Sequence, residues 1–289
     1  MKGRGALALG AGLAALGCGA ATVPGHKAAI TVTTVVKDPP LVRPVRHRAR
    51  FDSAATAAAP PAAQPLAAQP LGGKLVVLDP GHNGDNYLHP EIINGLVPAG
   101  RGQVKACDTT GTSTNAGYSE AAFNFDVALR LQRLLLAQGA HVVLTRHTNT
   151  GVGPCVNVRA AIGNTAHANA VISIHADGAP AGGRGFSVLY APDVGSTARI
   201  YPASLGLAHD VDHALGASGV LPVSNYVGPG GYSIRTDLAG LNLSTRPKIF
   251  VELGNMRNGT DAAIETSPRG RQRLAEALYA GLARFLGAG

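Results

Sequence analysis

Four side chains in this sequence have the types and the placement for metal-assisted hydrolysis. His82 follows the run Val76-Val77-Leu78-Asp79-Pro80-Gly81. His175 follows Val171-Ile172-Ser173-Ile174, and Glu252 follows Ile249-Phe250-Val251. Each stands where an apolar, strand-like run ends, and Glu120 opens a long helical pattern. Two imidazoles and one carboxylate make a common catalytic zinc set, with a fourth position left for water. A further carboxylate can take that water's proton and return it to a leaving group. Singly, each residue has a plain structural explanation, such as a hydrogen-bonded turn histidine or an acid favoured at a helix N-terminus. Glu252 is harder to dismiss, because a carboxylate at the edge of a core is rarely left unpaired. The four together are not readily explained as structure.

The elements that must position them follow from the spacing of apolar residues. Strand-like runs cover Leu75–Leu78, His141–Thr145, Ala170–His175, Phe186–Tyr190 and Lys248–Leu253. Helical patterns cover Ser119–Gln138, Asn157–Asn169, Pro202–Ala217 and Pro268–Leu286. In the first of these, Glu120, Asn124, Val127, Leu131 and Leu135 recur at helical spacing behind Ser119, a suitable N-cap. The alternation predicts an α/β fold: a mostly parallel twisted sheet flanked by helices on both faces, in a single catalytic domain over 73–289. Sites in such sheets gather at the carboxyl ends of the strands, where His82, His175 and Glu252 fall. Residues Asn83–Gly117 break the rhythm. They are rich in Gly, Asn, Thr and Pro without periodicity, and a loop of that length in a compact domain is functional or disordered.

The N-terminal residues carry an expectation about where the protein works. Lys2 and Arg4 precede an apolar run from Gly5 to Gly17 and then small residues, the three-part layout of a secretory signal over residues 1–20. That run is too short to span a bilayer. Cys18 follows Ala15-Leu16-Gly17, close to a lipoprotein cleavage box but with the Leu and a small residue exchanged. A lipid on Cys18 is the one route to a membrane that the sequence offers. Residues 21–72 form an Ala/Pro/Gln-rich disordered linker. The net charge is +8, and residues 1–72 carry +6 of it. The folded part, at +2 and with little aromatic–basic interleaving, does not read as a nucleic-acid binder. The expected location is exported, in the periplasm or cell envelope. In an oxidising compartment Cys107 and Cys155 are expected to form one disulfide, with two separately buried thiols as the alternative.

The stretches "VVLDPGH", "YSE", "VVLTR", "VRAAIGNTAHANAVISIHAD" and "KIFVELGNMRN" occur in this order. In combination they resemble the zinc-dependent N-acetylmuramoyl-L-alanine amidases of the type 3 family, over about residues 74–287. The resemblance implies one Zn2+ held by His82, Glu120 and His175, with Glu252 assisting attack by water. It implies hydrolysis of the amide between N-acetylmuramic acid and L-alanine in peptidoglycan or muropeptides. Three positions depart from the family pattern without removing a ligand: Tyr118 replaces Leu, Asp177 replaces Asn and Asn255 replaces Phe. A monomer is expected. Two other functions stay open: a non-catalytic peptidoglycan-binding scaffold on the same fold, and a zinc peptidase acting on stem peptides.

Several further residues invite a functional reading. Arg235 and Asn242, on a glycine-rich segment, are candidates for substrate binding, with an ordinary loop role equally open. Arg159 reads as the partner in a structural ion pair. His209 and His213 share a helix face, but no Glu follows the first His as in metalloprotease helices, so the face reads as solvated. Gly228–Gly231 has no Lys-Ser/Thr partner and is not a phosphate loop.

Overall fold

The strand alternation decides how this molecule is layered. In the computed structural model, residues 69–288 are described. The expected signal segment with Cys18, and the linker up to residue 68, lie outside the described residues. In chain order the elements are β1 (Leu75–Pro80), α1 (Pro90–Ile93), β2 (Leu96–Gly100), β3 (Gln103–Ala106), α2 (Glu120–Ala137), β4 (His141–Leu144), α3 (Val156–Thr165) and β5 (Ala170–Asp177). There follow β6 (Phe186–Tyr190), α4 (Tyr201–Ser218), β7 (Tyr232–Ile234), α5 (Ala239–Asn242), β8 (Lys248–Asn255), α6 (Gly259–Thr266) and α7 (Pro268–Phe285). Six strands form one sheet in the order β4-β1-β5-β8-β6-β7. β4, β1, β5 and β8 are mutually parallel, and β6 runs antiparallel to β8 with β7 parallel beside it. The expected α/β architecture is therefore present, with a reversed pair of strands at one edge. No helix among the described residues is long and apolar enough to cross a membrane.

Side chains alternate between the two faces of each strand. Val76, Leu78, Ile172, Ile174, Ile249, Val251 and Leu253 point into one large core shared with α2, α4 and α7. Their neighbours point the other way. Val77 and Val171 meet Ile162 of α3, and Leu189 meets Leu241 of α5. α3 and α5 are short and cover only part of this second face. Toward the carboxyl ends of the strands, the positions that continue the same alternation are Asp79, Ser173, His175, Phe250 and Glu252. They line an open hollow.

The folded unit starts earlier than the sequence indicated. Leu71, assigned to the linker, is fully buried in the main core, and its N–H donates to the carbonyl of Gln138. Part of the aperiodic segment 83–117 is also ordered: β2 and β3 pair as an antiparallel hairpin. Its tip is fastened to the body. Arg101 Nε donates to Asn242 Oδ1 at 3.0 Å and Nη2 to Thr197 Oγ1 at 3.0 Å, while Asn242 Nδ2 donates to the carbonyl of Ala99 at 3.0 Å. Its base is fastened by a disulfide between Cys107 and Cys155, which settles the pairing expected from the sequence.

Beneath the hollow lies a buried ionic knot. Asp79 accepts from Thr145 Oγ1 (2.7 Å), Ser173 Oγ (2.6 Å), Arg159 Nη1 (3.2 Å) and Lys248 Nζ (3.3 Å). Lys248 is only 1% exposed. Burial alone would raise the Asp79 carboxyl, but the Lys248 and Arg159 charges and the two hydroxyls outweigh it and hold the group far below the usual carboxylate range.

Two outcomes follow for stability. Asp79→Asn leaves Lys248 buried without its counter-charge, and unfolding in urea should show a loss of about 3–5 kcal/mol. Glu265, fully buried on α6 with neither carboxylate oxygen hydrogen-bonded, is pushed up to about 8 by burial and by the Asp261 and Glu120 charges. The fold thus keeps a proton that the unfolded chain gives up above its ordinary value near 4.5. Stability should fall from about pH 4.5 to pH 8, by up to about 1.4 kcal/mol per pH unit. In Glu265→Gln that part of the decline should vanish from a thermal melt taken across the same range.

Candidate metal centre

The turn after β1 is built around His82. Gly81 donates its N–H to the carbonyl of Ile174 on β5, and a Cβ on Gly81 would fall 2.0 Å from the His175 ring. Only glycine allows that approach. His82 itself has φ of 57°, a left-handed conformation that costs a residue with a Cβ on the order of 1 kcal/mol. Strain of this kind persists where surrounding contacts fix it. Here Arg159 Nη2 donates to the His82 carbonyl at 2.9 Å, and the ring is held from both sides. On one side Nδ1 lies 3.1 Å from Asp108 Oδ1 and 3.1 Å from the carbonyl of Thr109; on the other Nε2 faces Glu120 Oε2 at 3.3 Å.

Glu120 arrives from the first turn of α2, which Ser119 caps by accepting from the N–H of Ala122. Its Oε2 accepts from the N–H of Thr112 at 2.9 Å, and its Oε1 lies 2.7 Å from Nδ1 of His175. Gly111 passes directly over this pair. A Cβ there would fall 2.7 Å from both Glu120 Oε2 and the His82 ring. Phe250 stacks on the His175 ring at 4.1 Å, and the two histidine rings meet edge to face at 4.9 Å. His82, Glu120 and His175 each offer a ligand atom within 4.8 Å of the others.

Charge in this cluster is strongly biased. Burial opposes a charged His82, but Glu120 and Asp108 outweigh it, and the imidazole is pushed up to about 10. Burial would raise Glu120, yet the His82 charge and hydrogen bonds from His175 and His82 hold it well below its usual range. His175 is lowered by burial, which exceeds the pull of Glu120. The site draws positive charge, and its donor set of two imidazole nitrogens and a carboxylate oxygen fits a divalent ion of the zinc kind. Asp108 supplies the carboxylate partner that metal-binding histidines commonly have behind them.

Glu252 stands level with His175 across the β5–β8 ladder. Its Oε2 is buried with no hydrogen-bond partner. Burial first, then the charges of Glu120 and Asp177, push its carboxyl well above the ordinary range. Asp177 accepts from the phenol of Tyr226 at 3.0 Å beside it. All four candidate residues line one hollow of about 350 Å³, together with Lys105, Asp108, Asp177 and Gly240.

The two further candidates are not in that lining. Asn242 is 1% exposed, and its amide is spent on Ala99, Thr236 and Arg101. These bonds make it a clamp for the hairpin, the loop role that the sequence left open. Arg235 lies outside the hollow in a two-pronged ion pair with Asp237, at 2.8 and 2.7 Å. Arg159 is the structural ion-pair residue expected, bonded to Asp79 and Asp108. His209 packs on Tyr232, and neither it nor His213 joins a metal-ligand group among the described residues. Sequence reasoning missed Asp108. The one available signal was its place next to Cys107, since a disulfide fixes whatever adjoins it.

Comparison with known proteins extends the geometry. A family model described as N-acetylmuramoyl-L-alanine amidase (Amidase_3) matches residues 76–284. The N-acetylmuramoyl-L-alanine amidase Rv3717 of Mycobacterium tuberculosis is 46% identical over 214 residues, covering 74% of this chain and 87% of that protein. Among solved structures, the N-acetylmuramyl-L-alanine amidase Ami1 of Mycobacterium smegmatis aligns with a TM-score of 0.72 at 44% identity, over 76% of this chain and 99% of Ami1. AmiC2 of Nostoc punctiforme, at 23% identity and a TM-score of 0.56, covers 75% of this chain and 98% of its own and shares the fold.

If Asp108 orients the His82 ring for a cation, Asp108→Asn should weaken divalent metal binding by about 10- to 100-fold. Competition against a chromophoric chelator measures this directly, and an unchanged affinity would remove Asp108 from the site.

Proposed function

The chain belongs to the Amidase_3 family of N-acetylmuramoyl-L-alanine amidases, and from that premise we propose that it is a zinc-dependent hydrolase of the amide joining N-acetylmuramic acid to L-alanine in peptidoglycan. The observation that carries the proposal is the convergence of His82, Glu120 and His175 beside the unpartnered carboxylate of Glu252 in one hollow. Zinc at the three ligands would supply a Lewis acid toward the carbonyl and bring the pKa of water toward about 7.

The protein's own groups do the remainder. Asp108 and Glu120 hold the His82 ring between them, and Phe250 holds the plane of His175 by stacking. Glu252 takes the proton of the attacking water and returns it to the alanine nitrogen as the C–N bond breaks. Burial and the neighbouring Glu120 and Asp177 charges raise its carboxyl above the ordinary range, which favours its holding the proton between the two halves of that exchange. The products are the lactyl carboxylate on the sugar and a stem peptide with a free amino terminus. Such a substrate lies in the cell envelope, in keeping with the secretory layout of residues 1–20.

The test is digestion of purified muropeptides followed by mass. The zinc-loaded protein should release intact stem peptides, and chelation should stop it until zinc is returned. Glu252→Gln should keep its metal and lose about 10²- to 10⁴-fold in turnover. Release of stem fragments would point to a peptidase, and binding without cleavage to a scaffold; either result defeats the amidase assignment.

A further inference from the structure

Among the ionisable side chains lining the catalytic hollow, acids outnumber cations, and one cation stands apart. Asp79, Asp108 and Arg159 are buried and paired with one another. Glu120, Asp177 and Glu252 add three more carboxyl groups. Lys105 lines the same hollow from β3, and its ammonium donates to the carbonyl oxygen of Asp237 at 3.2 Å. No carboxylate lies within ion-pair distance of it among the described residues. Nor does it ride on a loose loop. The disulfide at Cys107 begins two residues further on, and the Arg101 and Asn242 hydrogen bonds hold the hairpin tip. A single ammonium is thus held over an acidic hollow by a strand fastened at both ends, which lowers the entropic cost of using it.

The proposed substrate has two arms beyond the amide. The N-acetylated sugar is neutral, while the stem peptide bears carboxylates. A hollow of 350 Å³ is roughly 9 Å across, and extended peptide advances about 3.5 Å per residue. Two residues past the reacting amide extend about 7 Å, within the width of the hollow that Lys105 lines. We propose that Lys105 binds a carboxylate on the peptide arm, on the residue after L-alanine, and so favours substrates in which that carboxylate is free over those in which it is a carboxamide. This rests on the amidase assignment and names what that site selects.

Two synthetic N-acetylmuramoyl-L-alanyl peptides, differing only in whether the second residue carries a free α-carboxylate or a carboxamide, supply the test with zinc-loaded full chain. The wild type should favour the carboxylate by about tenfold or more in kcat/KM, mainly through KM, since hydrogen bonds to charged groups are the strong ones. Lys105→Gln should bring the ratio near one while still cleaving the carboxamide, which shows the centre intact, and Lys105→Arg should restore the preference. Independently of turnover, calorimetry should show the released carboxylate peptide binding Lys105→Gln about tenfold more weakly than wild type. A wild-type ratio near one, or a ratio unmoved in Lys105→Gln, overturns the inference while leaving the amidase assignment standing. Failure of the wild type to cleave either peptide overturns both.

Discussion

A carboxylate in the interior of a protein survives only with its charge fully answered, and Asp79 shows how many elements that can recruit. Thr145 comes from just beyond β4, Ser173 from β5, Arg159 from α3 and Lys248 from the first position of β8. Removing such ions from water costs several kcal/mol each, and only a saturated set of partners offsets that cost. The knot therefore accepts one arrangement of β1, β5, β8 and α3 and penalises others. Arg159 then extends the constraint outward, to the His82 carbonyl and to Asp108, which holds the His82 ring. The geometry at the surface of the hollow is inherited from a charge balance below it.

The electrostatics above that foundation are deliberately uneven in their effect. Glu120 and Glu252 reach the same hollow, yet one is held ionised by two imidazoles while the other is driven toward its neutral form. Environment, not residue type, sets the two carboxyls apart, as the proposed division between ligand and proton carrier requires. Glu120 is bonded to Thr112, Asn124 and His175, whereas Glu252 Oε2 has no protein partner at all. That contrast supports giving the two glutamates separate tasks in the proposed reaction.

The strand runs ending in His82, His175 and Glu252 were legible because a buried parallel strand must be a continuous apolar run, and a polar residue ending one is conspicuous. The hairpin of β2 and β3 was not legible. Leu96 and Val104 are 73% and 64% exposed, so these strands carry no inward-facing alternation to read. They are held by Arg101, Asn242 and a disulfide, contacts distant in sequence that leave no local period. The two roles left open for Asn242 could not be told apart for the same reason. A polar residue on a glycine-rich segment looks alike in sequence whether its amide faces a ligand or closes a gap. The reversed direction of β6 was likewise invisible, since an apolar run of five residues reads identically in either direction.

The position of β8 in the sheet has a consequence for how the molecule comes into being. It is the last strand to leave the ribosome, yet it lies between β5 and β6. Until it emerges, those two strands have no common neighbour and their open edges invite pairing with other chains. A nascent or truncated polypeptide that stops before Lys248 already carries both histidines, but it lacks the strand that joins the two halves of the sheet and the glutamate that strand delivers. The histidines and the glutamate can therefore meet only after β8 has been made.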